Sequence, residues 1–543
     1  MATTATRLRA VLVALAALVP AAAGAAFGQD APGPEEAAPA SDRIEVTLPQ
    51  SSAGLLGDGR RSGRMIVFLL PADGPHREDR PVDAPFYDAP QPVFSCAVEA
   101  LEPGKPVTID GASLCFPAPL GTLRGRWRVQ AAFDRATEGR GHLATGNLLS
   151  AEGQLELDPS RADACELLLR ERIEEPSRQE RPNLRWFELR SATLGRALGR
   201  EVTMRAGVAL PRGWADPDHR RRIFPAVYVV PGFGGRWTAA EPIARMLASP
   251  DTGPLMPEAA WIVLDPECPL GHHGFVDSVA NGPWGTALVE ELIPALEREF
   301  RLLPRPQARA ITGHSSGGWS AVWLQMQHPG TFGACFASSP DPVDFSRFQQ
   351  SDLYADTSVF CDAEGRERTS YRRSIMGKFE KALMTVRDEV GVERVLGPAR
   401  DSGEQWDSWS AMWSPLDPAT RLPRPMFDAV TGTIDRSVVQ GSWARFDIAA
   451  LVRDDPGRWV PLFRERVRLV CGGRDGFSLD RAVQGLKDAL DGGARALAAR
   501  GQLLPEGPGY VEIVPDETHD TMAAAATLRW YREIRAWLDR KPG

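Results

Sequence analysis

Three textures of hydrophobic and polar positions succeed one another along the chain. At the start, Arg7 and Arg9 precede an apolar run from Ala10, broken at Pro20 and ending in small residues at Ala23 to Gly28. Two positive charges, a short apolar core and small residues predict a cleaved secretory leader over residues 1–28 rather than an anchoring helix. Residues 29–42 are a Pro/Ala/Glu linker with nothing to pack. From 43 to 165 short stretches of alternating character are divided by Gly/Pro-rich turns. Arg43–Leu48, Arg64–Pro71, Val107–Asp110, Trp127–Asp134 and Gln154–Asp158 are the strand candidates. This predicts an all-β, sandwich-like domain without a catalytic constellation of its own, whose job is packing or substrate positioning.

After a charged connector over 166–183 the pattern changes. From 184 to 543 unbroken apolar runs alternate with amphipathic segments. The strand candidates are Glu201–Pro211, Phe224–Pro231, Ala259–Asp265, Phe332–Ser338, Val467–Gly472 and Tyr510–Val514. Leu288–Phe300 and Thr527–Arg540 have helical spacing. Continuous hydrophobic strands alternating with helices predict an α/β fold, a doubly wound parallel sheet covered on both faces. The alternation stops over about 341–462, where Trp406, Trp409 and Trp413 form one helical stripe. That insertion is expected either to pack on the main domain or to cap the strand ends.

Composition narrows the classes. A chain of 543 residues exceeds one ordinary core, and 43% hydrophobic with 25% charged residues is globular. A net charge of -8 excludes nucleic acid as the expected partner. No stretch beyond the leader is long enough to span a membrane, so no stable insertion is expected once the leader is cleaved. The seven cysteines are too few and too scattered for a disulfide scaffold. Cys96 and Cys115 are a candidate bridge, and Cys335 and Cys471 read as buried thiols. No Cys or His spacing suggests zinc. The adjacent pair His272-His273 points its side chains apart, so neither a metal nor another cofactor is expected.

The chemistry gathers around Gly313-His314-Ser315-Ser316-Gly317, which follows an apolar run and opens a helical one. A serine on such a sharp strand-to-helix turn carries its hydroxyl above the sheet, with helix N–H groups beside it. Opposite it, the turn Gly232-Phe233-Gly234-Gly235 leaves a buried strand with exposed amides. Phe233 is the first choice for an oxyanion donor, with Gly232 and Gly234 close behind, and Ser316 supplies the second N–H. Of eight histidines, only His519 follows the nucleophile helix, directly after an apolar strand. Asp475 ends the preceding strand and is the acid expected to orient it, with Asp480 in reserve. The loop 265–284 concentrates Glu267, His272, His273, Asn281 and Trp284 after a core strand. We read Asn281, Trp284, Gly232, Gly234 and His314 as substrate contacts.

Together GVALPRGW, FPAVYVVPGFGG, ELIPALEREF, ITGHSSGGWSA, VCGGRD and the final THD resemble the putative esterase family of α/β-hydrolases, from about Ser191 onward. That family includes feruloyl esterases, S-formylglutathione hydrolases and enterochelin-type esterases, and secreted members with a preceding β module. Members commonly have His-Gly where this chain has Pro231-Gly232. The resemblance implies Ser315 as nucleophile, Asp475 as acid, His519 as base, Phe233 and Ser316 as oxyanion donors, and no cofactor. The expectation is an exported, periplasmic or extracellular serine esterase acting on a small-molecule or glycan-linked ester. The alternatives are an acyltransferase with the same triad and a non-catalytic binding protein of this fold.

Overall fold

The computed structural model describes residues 42–540, apart from 84–89, 159–163, 217, 219–220 and 376–378. The leader and all but the last residue of the linker lie outside the described residues.

The unbroken apolar runs become the centre of an eight-stranded sheet. Its strands in chain order are β1 (Leu184–Arg190), β2 (Thr203–Ala209), β3 (Ala226–Val230), β4 (Ala260–Leu264), β5 (Arg309–His314), β6 (Ala334–Ser338), β7 (Val467–Arg474) and β8 (Tyr510–Thr518). They lie in the order β1-β2-β4-β3-β5-β6-β7-β8. The β1–β2 and β2–β4 pairs are antiparallel, and every later pair is parallel. The helices that matter below are α1 (Ala240–Ala248), α2 (Ser316–Gln327), α3 (Val386–Leu396), α4 (Gln405–Trp413), α5 (Leu479–Ala499) and α6 (His519–Leu538). Alternate strand residues feed two cores. Tyr228, Ile262, Ile311 and Cys335 face α2 and α5, while Val227, Trp261, Ala310 and Phe336 face α1 and α6. Burial on both faces is why these strands carry no polar alternation.

The N-terminal strands curl around a separate core of Ile44, Val46, Met65, Val67, Phe94, Val129, Phe133, Leu167 and Leu169. Where a sandwich implies two sheets, hydrogen bonding here links all nine described strands. The expected connector also shortens. Ala164–Arg172 is a strand, paired in parallel with Arg43–Thr47. Its inward positions Cys165, Leu167 and Leu169 alternate, but Leu168 and the surrounding charges disguise the period of two. Cys96 and Cys115 are both free. The register sets Cys115 opposite Phe94, so Cys96 is its diagonal neighbour. Diagonal positions stand about 7–8 Å apart, beyond ordinary disulfide reach.

Residues 339–466 fill the interval between β6 and β7 and include α3, α4 and the hairpin Thr369–Ile375/Phe379–Thr385. The α4 tryptophans are interior. Trp413 packs on Trp319 of α2 at 5.1 Å, and Trp409 lies 4.9 Å from Phe348, centroid to centroid. Trp413 thus packs on the main domain, while Trp409 packs within the insertion itself. The last helix starts earlier than its spacing predicts, at His519 rather than Thr527, because Thr518 caps it in a reciprocal capping box with Thr521. The run Ala523–Ala526 gives that first half too little contrast to show a helical face.

Candidate active site

Between β5 and α2 the backbone turns at Ser315 with φ 58 and ψ -127. A non-glycine residue in this region costs on the order of 1–3 kcal/mol, so its surroundings must enforce it. They do. A Cβ on Gly313 would sit 2.0 Å from the Gly317 carbonyl oxygen, and one on Gly317 2.0 Å from that of Val230. Both glycines are therefore demanded by close backbone approach, which brings α2 down onto β3 and β5. The Ser315 N–H donates to the Ser338 carbonyl at 3.0 Å, and the Ser315 carbonyl accepts from Trp319 at 3.1 Å and Asp341 at 3.2 Å. With the backbone held on both sides, the side chain is presented at the strand ends.

The Nδ1–H of His519 donates to Asp475 Oδ2 at 2.8 Å. Asp475 is wholly buried at the end of β7, and His519 opens α6 directly after β8. The His519 ring lies 4.4 Å from the ring of His314, the residue before Ser315, centroid to centroid. The three loops therefore meet at one end of the sheet. Because Nδ1 is committed to Asp475, Nε2 is the basic nitrogen of the neutral ring. Burial disfavours the His519 cation, but Asp475, then Asp520 and Asp341, more than offset this and raise its pKa above the ordinary value. Burial also acts on Asp475, yet His519 and the Phe477 amide hold it below the usual carboxylate range. His314 is pushed down to about 3 by burial and by His519, so it stays neutral. It is hydrogen-bonded to Ser338 Oγ at 2.9 Å and serves as a wall against His519.

Opposite Ser315 lies the turn after β3. A Cβ on Gly232 would stand 3.3 Å from Ser315 Cβ and 3.1 Å from the His314 carbonyl, so a side chain here would press the turn away from Ser315 by a few tenths of an ångström. Among the described residues the Phe233 N–H has no acceptor, and the Ser316 N–H belongs to the first turn of α2, where no intrahelical acceptor exists. Gly234 adopts φ 75, which turns the chain back. An imidazole tethers this turn. The Gly274 N–H donates to His272 Nδ1 at 3.1 Å, which leaves the proton on Nε2 to be donated to the Pro231 carbonyl at 3.0 Å. Burial lowers the His272 pKa to about 4 and keeps that tautomer neutral.

Asp341, just past β6, has no counterpart in the sequence reading. Its Oδ2 accepts from Ser316 Oγ at 2.7 Å and from Trp409 Nε1 at 2.8 Å. Burial raises its pKa to about 6. One buried carboxyl thus links the residue after the nucleophile to the insertion. The hairpin joins in from the acid side, where the Arg372 N–H donates to the Gly476 carbonyl at 3.0 Å. Tyr371 packs on Phe477 at 4.8 Å, and Phe477 packs on His519 at 4.9 Å. The only available signal for Asp341 was an acid directly after a core strand, and several loops share that.

The remaining candidates are placed elsewhere. Trp284 is buried and stacked on His273 at 3.8 Å, and its Nε1–H donates to the Asn281 carbonyl at 2.8 Å. Asn281 Oδ1 accepts from Cys268. Both residues brace the 265–284 loop, and their partners are not members of the Ser315 cluster. The carboxylate bonded to His519 is Asp475 and not the reserve candidate Asp480, whose pKa burial and Asp475 raise to about 6. Among the described residues no group of three or more potential metal ligands occurs.

A strained serine, an acid-oriented imidazole and two N–H donors are the parts of acyl transfer. The putative esterase family matches this chain over residues 196–455, which takes in the Ser315 elbow and the 232–235 turn but not Asp475 or His519. No curated protein matches the chain significantly. Similar solved structures include a ferulic acid esterase, with 17% identity, TM-score 0.38, covering 65% of this chain and 98% of that one. Another is a CE1 ferulic acid esterase from Anaeromyces mucronatus, with 12% identity, TM-score 0.32, and coverage of 67% and 95%. An S-formylglutathione hydrolase from Agrobacterium tumefaciens has 16% identity, TM-score 0.33, and coverage of 64% and 94%. The match over residues 196–455, just under half of the chain, makes this region similar to the putative esterase family and supports a carboxylic-ester hydrolase.

Proposed function

We propose that this esterase is an exported serine hydrolase that works through an acyl-enzyme on Ser315. The observation that carries the reading is the 2.8 Å His519–Asp475 hydrogen bond at the strand ends, with the His519 ring against the residue that precedes the strained Ser315. His519 Nε2 takes the Ser315 proton as Oγ attacks the ester carbonyl. The Phe233 and Ser316 N–H groups hold the oxyanion, and an oxyanion donor of this kind is typically worth about 3–4 kcal/mol in the transition state. Protonated His519 then gives its proton to the leaving alcohol. Water, activated by the same imidazole, adds to the acyl carbonyl and releases the acid. Asp475 stays ionised throughout and stabilises the imidazolium. None of these steps uses a cofactor.

The substrate is a small-molecule or glycan-linked carboxylic ester, and the 339–466 insertion, tied to the elbow through Trp409 and Asp341, caps the site. Export rests on the leader pattern of residues 1–28.

Hydrolysis of p-nitrophenyl acetate-to-decanoate esters by the mature protein, beside Ser315→Ala, tests the reading. Turnover that vanishes in the variant is expected, and the chain-length profile measures the acyl pocket. Turnover that survives the variant removes Ser315 from the mechanism.

A further inference from the structure

We propose that Arg140, carried by the N-terminal β domain, is a positioning residue for the oxyanion turn of the hydrolase domain. The inference rests on the esterase mechanism above and assigns that mechanism a part from a domain the sequence leaves without one.

Arg140 lies where three regions meet. Its guanidinium stands 4.6 Å from the centroid of the Phe233 ring, on the residue proposed above as the first oxyanion donor. A Cβ on Gly234 would come 3.6 Å from Arg140 Nη2, so the same guanidinium also lines the next residue of the turn. Arg140 Nη1 donates to Glu404 Oε1 at 3.0 Å, just before α4 of the insertion. Its stem crosses Gly403, where a Cβ would meet Arg140 Cγ at 2.8 Å; with φ 71 that position suits glycine twice over. A flat cation that lies over one ring and donates to a carboxylate on another segment fixes orientation as well as distance.

The loop that presents Arg140 is itself built firmly. Asn147 is fully buried, and its Nδ2 donates to Asp134 and to the carbonyls of Gly141 and His142. Its Oδ1 accepts from the N–H groups of Arg135 and Ala136. His142, neutral because burial lowers its pKa to about 4, bonds the Val82 carbonyl at 2.8 Å. The β domain is also seated on the insertion independently of Arg140. Ile66, Phe68, Val82, Val93, Ala132 and Leu149 form one apolar cluster with Val392 and Val395 of α3. Seating the domain therefore does not require Arg140, and its placement on Phe233 is left to explain. The Phe233 N–H has no acceptor to hold it before substrate arrives, so a support on its side chain preorganises the donor.

The test uses the full mature chain. Arg140→Met keeps an unbranched stem but removes the guanidinium. Arg140→Lys keeps the charge for Glu404 but loses the flat face on Phe233. Each is compared with wild type for kcat and KM on p-nitrophenyl acetate, for the rate of fluorophosphonate labelling at Ser315, and for Tm. We expect Arg140→Met to lose about ten- to a hundredfold in kcat and in labelling rate with KM within about threefold, since a misplaced donor acts on the transition state. Arg140→Lys is expected to fold as wild type and lose about three- to tenfold. If Arg140→Met does not fold, the Lys variant decides alone. Wild-type kcat and labelling rate in every variant that folds, whatever the Tm, overturn the inference and make Arg140 a domain tie only. Failure of the wild-type protein to label at Ser315 is a different result, which overturns the mechanism and the inference with it.

Discussion

With its Nδ1–H committed to Asp475, His519 keeps only the Nε2 lone pair for Ser315. Asp475→Asn offers an amide that can leave the ring in the wrong tautomer, and kcat is expected to fall by about 10³–10⁴-fold. The same change removes a carboxylate that raises the His519 pKa. Activity needs the neutral ring, so kcat/KM rises with pH through that pKa. The acid limb should sit above the ordinary histidine value in wild type and move to lower pH in the variant. An unmoved limb would detach Asp475 from His519. Asp341 allows a second test. Asp341→Asn keeps an oxygen for Ser316 and Trp409 but removes a charge that His519 feels, so its acid limb should also shift down. The folded Asp341 pKa, about 6, lies above that of an ordinary aspartate, so wild type loses stability as pH rises through that window. The Asn variant does not, and its Tm relative to wild type should be higher at pH 7.5 than at pH 4.5. Asp341→Ala strands two buried donors and should cost about 2–4 kcal/mol in stability. The elbow, Asp475 and His519 were legible because chain order and flanking strands single them out. His272, Asp341 and Arg140 were not. Each acts by touching a segment distant in sequence, and no local pattern encodes that.

Elements were legible where one face or both faces are buried by a regular period. Strands β3 and β4 are unbroken hydrophobic runs and β6 is one up to Ser338, because helices cover both sides, and the runs showed them. Ala164–Arg172 was hidden in a charged stretch, and the hairpin Thr369–Ile375/Phe379–Thr385 carries arginines and a lysine that read as surface. The glycines of the elbow act at this scale. Gly317→Ala places a Cβ 2.0 Å from the Val230 carbonyl, so α2 must lift from β3. Loss of Ser315 labelling with a lowered Tm is expected, and a normally labelled variant would contradict the close approach. The tryptophan stripe is a core feature. Trp413 is fully buried, and Trp413→Ala should cost about 3–5 kcal/mol, read by chemical denaturation. A cost under 1 kcal/mol would place it at the surface instead.

At the scale of the molecule, two cores that the sequence separates with a charged connector are joined through the insertion. Ser95 Oγ donates to the Val395 carbonyl at 2.5 Å, and a Cβ on Gly391 would meet the Phe116 ring at 2.8 Å. No sequence period announces this contact, because its residues belong to a strand face and a helix face some 300 positions apart. Cleavage within the exposed stretch Glu174–Ser177 should leave two fragments that co-elute on size exclusion, and separated fragments would contradict the shared apolar cluster. The central claim is that Ser315 becomes the acyl carrier when His519 and Asp475 act on it. The most direct measurement is mass spectrometry of the mature protein after a short reaction with an activated ester, quenched in acid, beside His519→Ala. The account predicts one acyl group on the peptide bearing Ser315 in wild type and a much slower appearance in the variant. An acyl group on any other residue, or equal acylation in both proteins, would contradict it.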